Sequence, residues 1–220
     1  LDLNEVNNKL PPDITLWATA KVPEKFNARR KALYRHYKYI VENPGVNLDK
    51  VNQALKYMIG VHDFKNLCYK ANRTTVRRIY LAKARKLGEK YLEYDFYGAS
   101  FARGLIRKTV TATLQVGLGE ISLEEFKQLL NPSHKSTKGI KPAPPEGLFL
   151  VDAFYPIAFT VNPEAAKRVE KTLTEELQQQ KLTPKLLEVM LVDFKKLLRE
   201  MKEQAQQISK WSSSSSSSTK

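Results

Sequence analysis

The segment Arg29-Arg-Lys-Ala-Leu-Tyr-Arg-His-Tyr-Lys-Tyr39 is the most informative stretch of this 220-residue chain. Cationic and aromatic side chains alternate along it with the period of a β-strand. Cations placed beside aromatic rings are the combination with which proteins hold a polyanion and stack its bases. The segment therefore predicts a strand that lies on a nucleic-acid-binding surface.

The positive charge of the chain is concentrated around this segment. The formal net charge is +14, and residues 21–86 contain 17 Lys and Arg against four Asp and Glu, whereas residues 161–220 contain 11 against eight. So compact an excess is typical of an electrostatic footprint on nucleic acid. A solvated basic face or a patch for an anionic membrane is the alternative, but the interspersed tyrosines favour RNA.

Several classes of protein are disfavoured by the composition. Cys68 is the only cysteine, so no intramolecular disulfide can form, and a small buried side chain is its simplest role. The three histidines do not combine with it in a metal-ligand spacing, and no phosphate-binding glycine motif is present. No run of 18 apolar residues is present, and we expect no secretory leader. We expect a cytoplasmic protein without a membrane segment, metal or small-molecule cofactor.

The predicted elements indicate an α+β fold. Strands are predicted at 14–22, 32–41, 76–85, 90–97 and 148–154, and helices at 3–10, 48–59, 101–116 and 123–130, with Ser100 capping the third helix. No regular alternation of strands with helices is present, so the sheet is expected to be mainly antiparallel and flanked by helices. Glu93 and Asp95 alternate with apolar neighbours, which predicts one solvated sheet face.

The character of the chain changes after Pro156. Two helix starts follow, at Asn162-Pro163 and Thr183-Pro184. The second helix has a narrow apolar seam that fits either the domain's own surface or a dimer or partner contact. The seam consists of Leu186, Met190, Phe194, Leu197, Met201, Ala205 and Ile208. Residues 212–218 are all serine and are expected to be disordered. We therefore predict a domain at 1–156, a helical extension at 157–210 and a disordered tail at 211–220.

Several short motifs follow one another in a specific order. They are Tyr37-Lys-Tyr-Ile40, Gly60-Val-His-Asp-Phe64, Arg73-Thr-Thr-Val-Arg-Arg78, Gly98-Ala-Ser-Phe-Ala-Arg-Gly-Leu-Ile-Arg107 and Pro142-Ala-Pro-Pro-Glu-Gly-Leu148. From about Val6 to Pro156, this set resembles the catalytic domain of the TruA family of tRNA pseudouridine synthases, most closely its archaeal members.

The resemblance implies an isomerase that converts uridine to pseudouridine in the anticodon stem-loop of tRNA, at the family's positions 38–40. It implies half of the pseudouridine synthase fold, a homodimer, tRNA as partner and no cofactor. The reaction breaks the glycosidic bond, turns the base and rejoins it through C5. It needs a carboxylate, a cation that keeps this carboxylate ionised, an aromatic that stacks on the flipped base, and an acceptor for the C5 proton.

The resemblance assigns these roles to particular residues. Tyr37 matches the active-site tyrosine that stacks on the base, and it is a candidate to accept the C5 proton. Arg107 matches the arginine that pairs with the catalytic aspartate, although a solvated basic helix face is the alternative for this arginine. The residues expected to bind RNA are Arg29, Arg35, Arg73, Thr74, Arg77, Phe101 and Arg103.

One part of the family pattern is missing. The family's catalytic aspartate lies in an Arg-Thr-Asp sequence, but Arg73-Thr74 is followed here by Thr75, and no other acidic residue has that context. We expect this segment upstream, so that the chain is a fragment, or one half of a split enzyme whose N-terminal half is a separate polypeptide. The third possibility is a non-catalytic RNA-binding relative. In each case the chain alone is expected to form no pseudouridine.

Overall fold

The structure is a computed structural model, which describes residues 2–69, 74–134, 139–179 and 184–216. The described helices are α1 (Leu3–Asn7), α2 (Ala28–Lys31), α3 (Leu48–Lys56), α4 (Leu105–Leu118), α5 (Leu123–Leu129), α6 (Pro163–Gln179) and α7 (Pro184–Ser216). The described strands are β1 (Ala18–Thr19), β2 (Tyr34–Glu42), β3 (Gly60–Asp63), β4 (Val76–Leu87), β5 (Tyr91–Gly98), β6 (Leu148–Phe154) and β7 (Thr160–Val161).

These elements form two compact units. One unit is Arg29–Tyr155, and the other combines Leu1–Ala28 with Pro156–Lys220. The second unit thus groups the first 28 residues with the C-terminal helices, whereas the sequence places them in the domain at 1–156. The functional division at 156/157 stays a prediction.

The unit Arg29–Tyr155 is built on an antiparallel sheet with the strand order β3-β4-β5-β2-β6. Gly88, with φ +67°, lies in the turn between β4 and β5, as expected for a tight hairpin. Helices α3, α4 and α5 enclose a core with one face of this sheet, and the largest fully buried side chains there are Tyr39, Leu55, Phe64, Tyr94, Phe96 and Phe126. The predicted α+β class with a mainly antiparallel sheet is confirmed.

Two predicted element starts are wrong, and each has a local cause. Helix α4 begins at Leu105 instead of Phe101, because Gly104 adopts φ +84°, a left-handed conformation that precludes a helix before it. Residues Arg29–Lys31 belong to the short helix α2, so the strand predicted from Ala32 starts only at Tyr34.

The first predicted strand, 14–22, is reduced to the two residues of β1. The side chain of Asn7 binds both the amide and the carbonyl of Leu16, at 2.8 and 2.9 Å. The main chain of Leu16 is therefore satisfied by a side chain instead of by a neighbouring strand.

The sheet face opposite the helices differs from the predicted solvated face, because its carboxylates are buried. The side chain of Glu93 is 1% exposed and that of Asp95 is 9% exposed. His36 is hydrogen-bonded to Asp95 at 2.7 Å. The ion pairs are Arg85–Glu93 at 2.7 Å, Lys38–Glu93 at 3.5 Å and Lys83–Asp95 at 4.0 Å. The alternation correctly placed Glu93 and Asp95 on one face of the sheet, but partners on β2 and β4 allow both carboxylates to be buried there. We call these two carboxylates and their partners the charge ladder.

The second unit contains the β1–β7 pair and the helices α1, α6 and α7. Trp17 packs edge-on against Phe194 with ring centroids 5.2 Å apart. Leu186, a residue of the predicted apolar seam of α7, is buried. Leu187, Val189 and Leu198 do not belong to this seam but are also buried.

Helix α7 is described through Ser216, and the disorder of the tail at 211–220 stays a prediction. Residues 217–220 lie outside the described part of the chain. Among the described residues, no helix is long and apolar enough to cross a membrane.

The charge ladder predicts a pH-dependent contribution to stability. Burial raises the pKa of Asp95, but the hydrogen bond from His36 and the charges of Lys38 and Lys83 outweigh it and lower that pKa below its usual value of 3.8. A carboxyl whose pKa falls on folding stabilises the folded chain at pH values above the pKa that it has in the unfolded chain. This contribution to the free energy of unfolding is lost as the pH falls through the pKa of the folded chain. Asp95→Ala should cost about 3 kcal/mol at pH 7, and the cost should shrink below pH ~4.

Urea unfolding of the wild-type chain and of Asp95→Ala at several pH values measures the loss of stability caused by this substitution. Glu89→Ala is the matched control, because Glu89 pairs with Lys86 at 3.4 Å but its side chain is 93% exposed; such a pair contributes less than about 1 kcal/mol. Equal destabilisation by the two substitutions would contradict a stabilising role for the ladder.

Candidate active site

An aromatic pair forms one side of the candidate site. Tyr37 and Tyr39 project from the same face of β2, since side chains alternate along a strand. Tyr39 is buried in the core, whereas Tyr37 is half-buried. The ring of Tyr37 meets Phe101 edge-on, with centroids 5.3 Å apart and an interplanar angle of 80°. The structure thus brings together the predicted catalytic tyrosine and a predicted RNA-binding aromatic.

Gly98 leaves the space that Phe101 occupies. A Cβ atom at Gly98 would lie 2.9 Å from Cζ of Phe101 and 3.1 Å from the carbonyl oxygen of Arg78. Such distances are too short for carbon atoms in contact, so a side chain at this position would displace the ring. The glycine of the Gly98–Arg107 motif therefore has a packing role.

Arg107 is held to Ala143 by two hydrogen bonds. Its Nε donates to the Ala143 carbonyl, and the Ala143 amide donates to the Arg107 carbonyl at 3.1 Å. Within the described residues, its two Nη groups have no hydrogen bond and no acidic partner. Arg107 is therefore fixed by one edge of the guanidinium, and its other donors are available for an anion.

The segment Pro142–Leu148 is also fixed to β2. The Tyr39 hydroxyl donates to the Pro144 carbonyl at 2.6 Å. Burial raises the pKa of Tyr39 to about 12, the charge of Arg107 lowers it, and that of Glu146 raises it. This hydroxyl therefore stays protonated and remains a hydrogen-bond donor. Together with the Arg107–Ala143 pair, it holds the segment on two neighbouring elements.

Arg29, Arg35 and Arg103 occupy different environments. The guanidinium of Arg35 donates to the carbonyls of Ala99 and Arg29, so it joins β2 to the loop before α4. Arg29 and Arg103 are exposed, and Cζ of Arg103 lies 5.6 Å from the ring centroid of Tyr69. Their contacts with RNA stay predictions, and Arg35 has a structural role in addition.

The remaining predicted RNA-binding residues lie before and at the start of β4. Nη1 of Arg77 donates to the carbonyls of Thr74 and Val76, at 2.8 and 2.6 Å. Thr74 is exposed, and its hydroxyl accepts a hydrogen bond from the Val76 amide at 3.2 Å. Arg73 lies outside the described residues. RNA contacts by Thr74 and Arg77 also stay predictions.

Comparison with known proteins identifies the family. A family model described as tRNA pseudouridine synthase matches residues 54–156. The tRNA pseudouridine synthase A of Methanothrix thermoacetophila is 30% identical over 187 residues, which are 84% of this chain and 68% of the relative. The chain belongs to the TruA family of tRNA pseudouridine synthases. Arg107, Phe101 and the segment Pro142–Leu148 of this TruA family member lie in the matched range, and Tyr37 precedes it.

Two further relatives define how much of the TruA protein is present. The tRNA pseudouridine synthase A of Methanosarcina mazei is 38% identical over 151 residues, which are 68% of this chain and 55% of the relative. That of Archaeoglobus fulgidus is 35% identical over 175 residues, 78% of this chain and 65% of the relative. The chain thus spans little more than half the length of the first of these relatives.

Sequence reasoning missed several residues that shape this site. Tyr39 was part of a matched motif, but only its burial beside Arg107 shows its role as a donor to the loop. Ala143 acts through its main chain, which no side-chain pattern could reveal. Among the described residues, no group of three or more His, Cys, Asp or Glu side chains could hold a metal ion.

The tight approach of Gly147 to β2 yields a stability prediction. A Cβ atom there would lie 2.3 Å from the Ile40 carbonyl oxygen and 3.1 Å from the Tyr39 ring. Gly147→Ala should therefore push the segment 142–148 away from β2 and destabilise the chain by about 1–3 kcal/mol in urea unfolding.

Gly139→Ala is the control for this substitution. No atom lies within 4 Å of a Cβ built at Gly139, so its effect should stay within about 0.5 kcal/mol. If the two variants unfolded at the same urea concentration, the segment would not be packed on β2 as described.

Proposed function

We propose that the chain forms the C-terminal catalytic portion of a tRNA pseudouridine synthase, an isomerase that acts on uridines in the anticodon stem-loop of tRNA. The observation that carries this proposal is the state of Arg107. Its Nε and main chain are bound to Ala143, and its Nη donors are free within the described residues. An arginine positioned in this way binds a carboxylate bidentately and holds it ionised.

The nucleophilic carboxylate comes from a segment outside this sequence in our proposal. No Arg-Thr-Asp sequence is present in the 220 residues. Arg107 would hold the aspartate of such a segment in its charged form by lowering the carboxyl pKa. The aspartate would then attack the sugar or remove its proton while the glycosidic bond breaks. We accordingly propose that the chain alone is inactive.

Tyr37 and Phe101 provide the surface for the flipped base. A base taken out of its helix needs an aromatic face to replace the lost stacking. The edge-on contact with Phe101 leaves the ring of Tyr37 supported from one side. After the base turns and C5 bonds to C1′, the C5 proton must leave, and the Tyr37 hydroxyl is our candidate acceptor.

The relatives also suggest the setting of the reaction. Proteins named tRNA pseudouridine synthase A support tRNA as the substrate, and the basic stretch 21–86 supports contact with its phosphates. We propose that the protein acts as a cytoplasmic homodimer and needs no cofactor.

The experiment measures pseudouridine formation on an unmodified tRNA transcript. It compares this chain with the longer protein that includes the preceding coding sequence. In the longer protein, Arg107→Met should lower kcat about 10²–10³-fold, because the catalytic carboxylate loses the fixed partner that orients it and keeps it ionised. The Kd for tRNA should change less than about threefold, because Arg107 binds this carboxylate and not the RNA in our proposal. Arg107→Lys is the matched variant that keeps the charge and loses the bidentate geometry.

Tyr37→Phe separates the two roles of that residue. Retained turnover would limit Tyr37 to stacking, and loss of turnover with unchanged tRNA binding would support proton acceptance. Tight tRNA binding without pseudouridine in either length of protein would contradict the enzyme. It would support a non-catalytic RNA-binding module, the alternative function, which needs the basic stretch 21–86 but no carboxylate.

A further inference from the structure

Two cations converge on one exposed tyrosine beside the candidate active site. Cζ of Arg103 lies 5.6 Å and Nζ of Lys108 lies 5.4 Å from the ring centroid of Tyr69, whose residue surface is 38% exposed. Both distances fall in the range in which an aromatic ring attracts a cation. We call these three residues the Tyr69 cluster.

The main chain fixes the Tyr69 cluster in place. The amide of Tyr69 donates to the Arg103 carbonyl at 2.9 Å, and Nζ of Lys108 donates to the Cys68 carbonyl at 3.3 Å. A Cβ atom at Gly104 would lie 2.7 Å from the Tyr69 ring, so the ring packs directly on that glycine. The ring, the main chain of Arg103 and the Lys108 ammonium are therefore held together at the start of α4.

The cations of this cluster lack the carboxylates that accompany the other cation–ring pairs of the described residues. Lys127 lies over Tyr57 and pairs with Glu124 at 2.6 Å. Lys90 lies over Tyr91 and pairs with Glu42 at 3.7 Å. By contrast, within the described chain neither Arg103 nor Lys108 has an acidic partner.

A third positive charge is close to the cluster. Burial raises the pKa of the Cys68 thiol, the charges of Lys108 and Arg77 lower it, and the weaker effect of the Asp63 carboxylate raises it. At Cys68, the residue before Tyr69, the positive contributions of Lys108 and Arg77 are thus each larger than the opposing contribution of Asp63. Repulsion among such cations is relieved when an anion binds between them.

We propose that Arg103 and Lys108, oriented by the ring of Tyr69, bind one backbone phosphate of the RNA substrate. This inference rests on the proposed function, and it adds Tyr69 and Lys108 to the predicted RNA-binding residues. The arginine supplies a planar fork of donors and the lysine a compact charge, which together match the oxygens of a phosphate. This phosphate contact fixes position and carries no sequence information.

Salt-dependent binding of unmodified tRNA to the 220-residue chain tests this proposal. Lys108→Met should weaken binding about tenfold in low salt and reduce the slope of log K against log salt concentration by about one. Tyr69→Leu leaves the charge unchanged, yet it should weaken binding about three- to tenfold, because both cations lose their orientation. Lys127→Met is the matched control and should alter neither quantity.

Circular dichroism establishes that each variant is folded, and Lys108→Met alone decides the question if Tyr69→Leu unfolds. Equal effects of Lys108→Met and Lys127→Met would overturn the inference, since net charge alone would then explain them. The inference would also be overturned if the wild-type chain bound tRNA and no variant bound it differently. The proposed function would not be affected by that result. If the wild-type chain binds no tRNA even in low salt, the inference and tRNA binding by this chain both fail.

Discussion

The two hydrogen bonds between Arg107 and Ala143 are the contact on which the candidate site depends. They join helix α4 to the segment before β6, and the Tyr39 hydroxyl joins the same segment to β2. Gly147 allows the main chains to approach closely enough for these bonds to form. As a result, a flexible arginine side chain is held at one edge and keeps donors for an anion. A site prepared in this way loses little entropy when its partner arrives.

The charge ladder on the other sheet face illustrates a second constraint. Buried carboxylates are costly unless cations and hydrogen bonds compensate them. Here Glu93 is paired with cations from both neighbouring strands, and Asp95 is bound by His36 of β2 and Lys83 of β4. The ladder therefore depends on the register of β2, β4 and β5, and a shift by one residue would move the carboxylates into the apolar core. The charges thus specify strand register as well as contributing to stability.

Sequence patterns predicted much of the fold, because strand alternation and helix periodicity are local properties. The hairpin of β4 and β5 and the range of β6, Leu148–Phe154, were predicted well. The early start for α4 was wrong because Gly104 is left-handed, and the Tyr69 ring packs where a Cβ at this position would lie. The solvated face was wrong because burial of Glu93 depends on the cations of adjacent strands. Both errors concern contacts between residues that are distant in sequence.

The candidate site was predictable only through motifs. Tyr37, Phe101 and Arg107 were named from their resemblance to a family, and periodicity alone would have left them as ordinary strand and helix residues. The structure adds what a motif cannot show, namely the carbonyl that anchors Arg107 and the donors that remain. Arg35 was also predicted to bind RNA, but the structure shows that its guanidinium is bound to the carbonyls of Ala99 and Arg29. Charge in a basic stretch therefore does not establish that a residue contacts RNA.

A crystal structure of the longer protein tests the central claim most directly. We expect the Nη atoms of Arg107 to lie about 3 Å from the carboxylate of an Arg-Thr-Asp segment, while Nε still donates to the Ala143 carbonyl. If Arg107 instead turned away from Ala143, or if no carboxylate lay within reach of its Nη atoms, the account of this site would be contradicted.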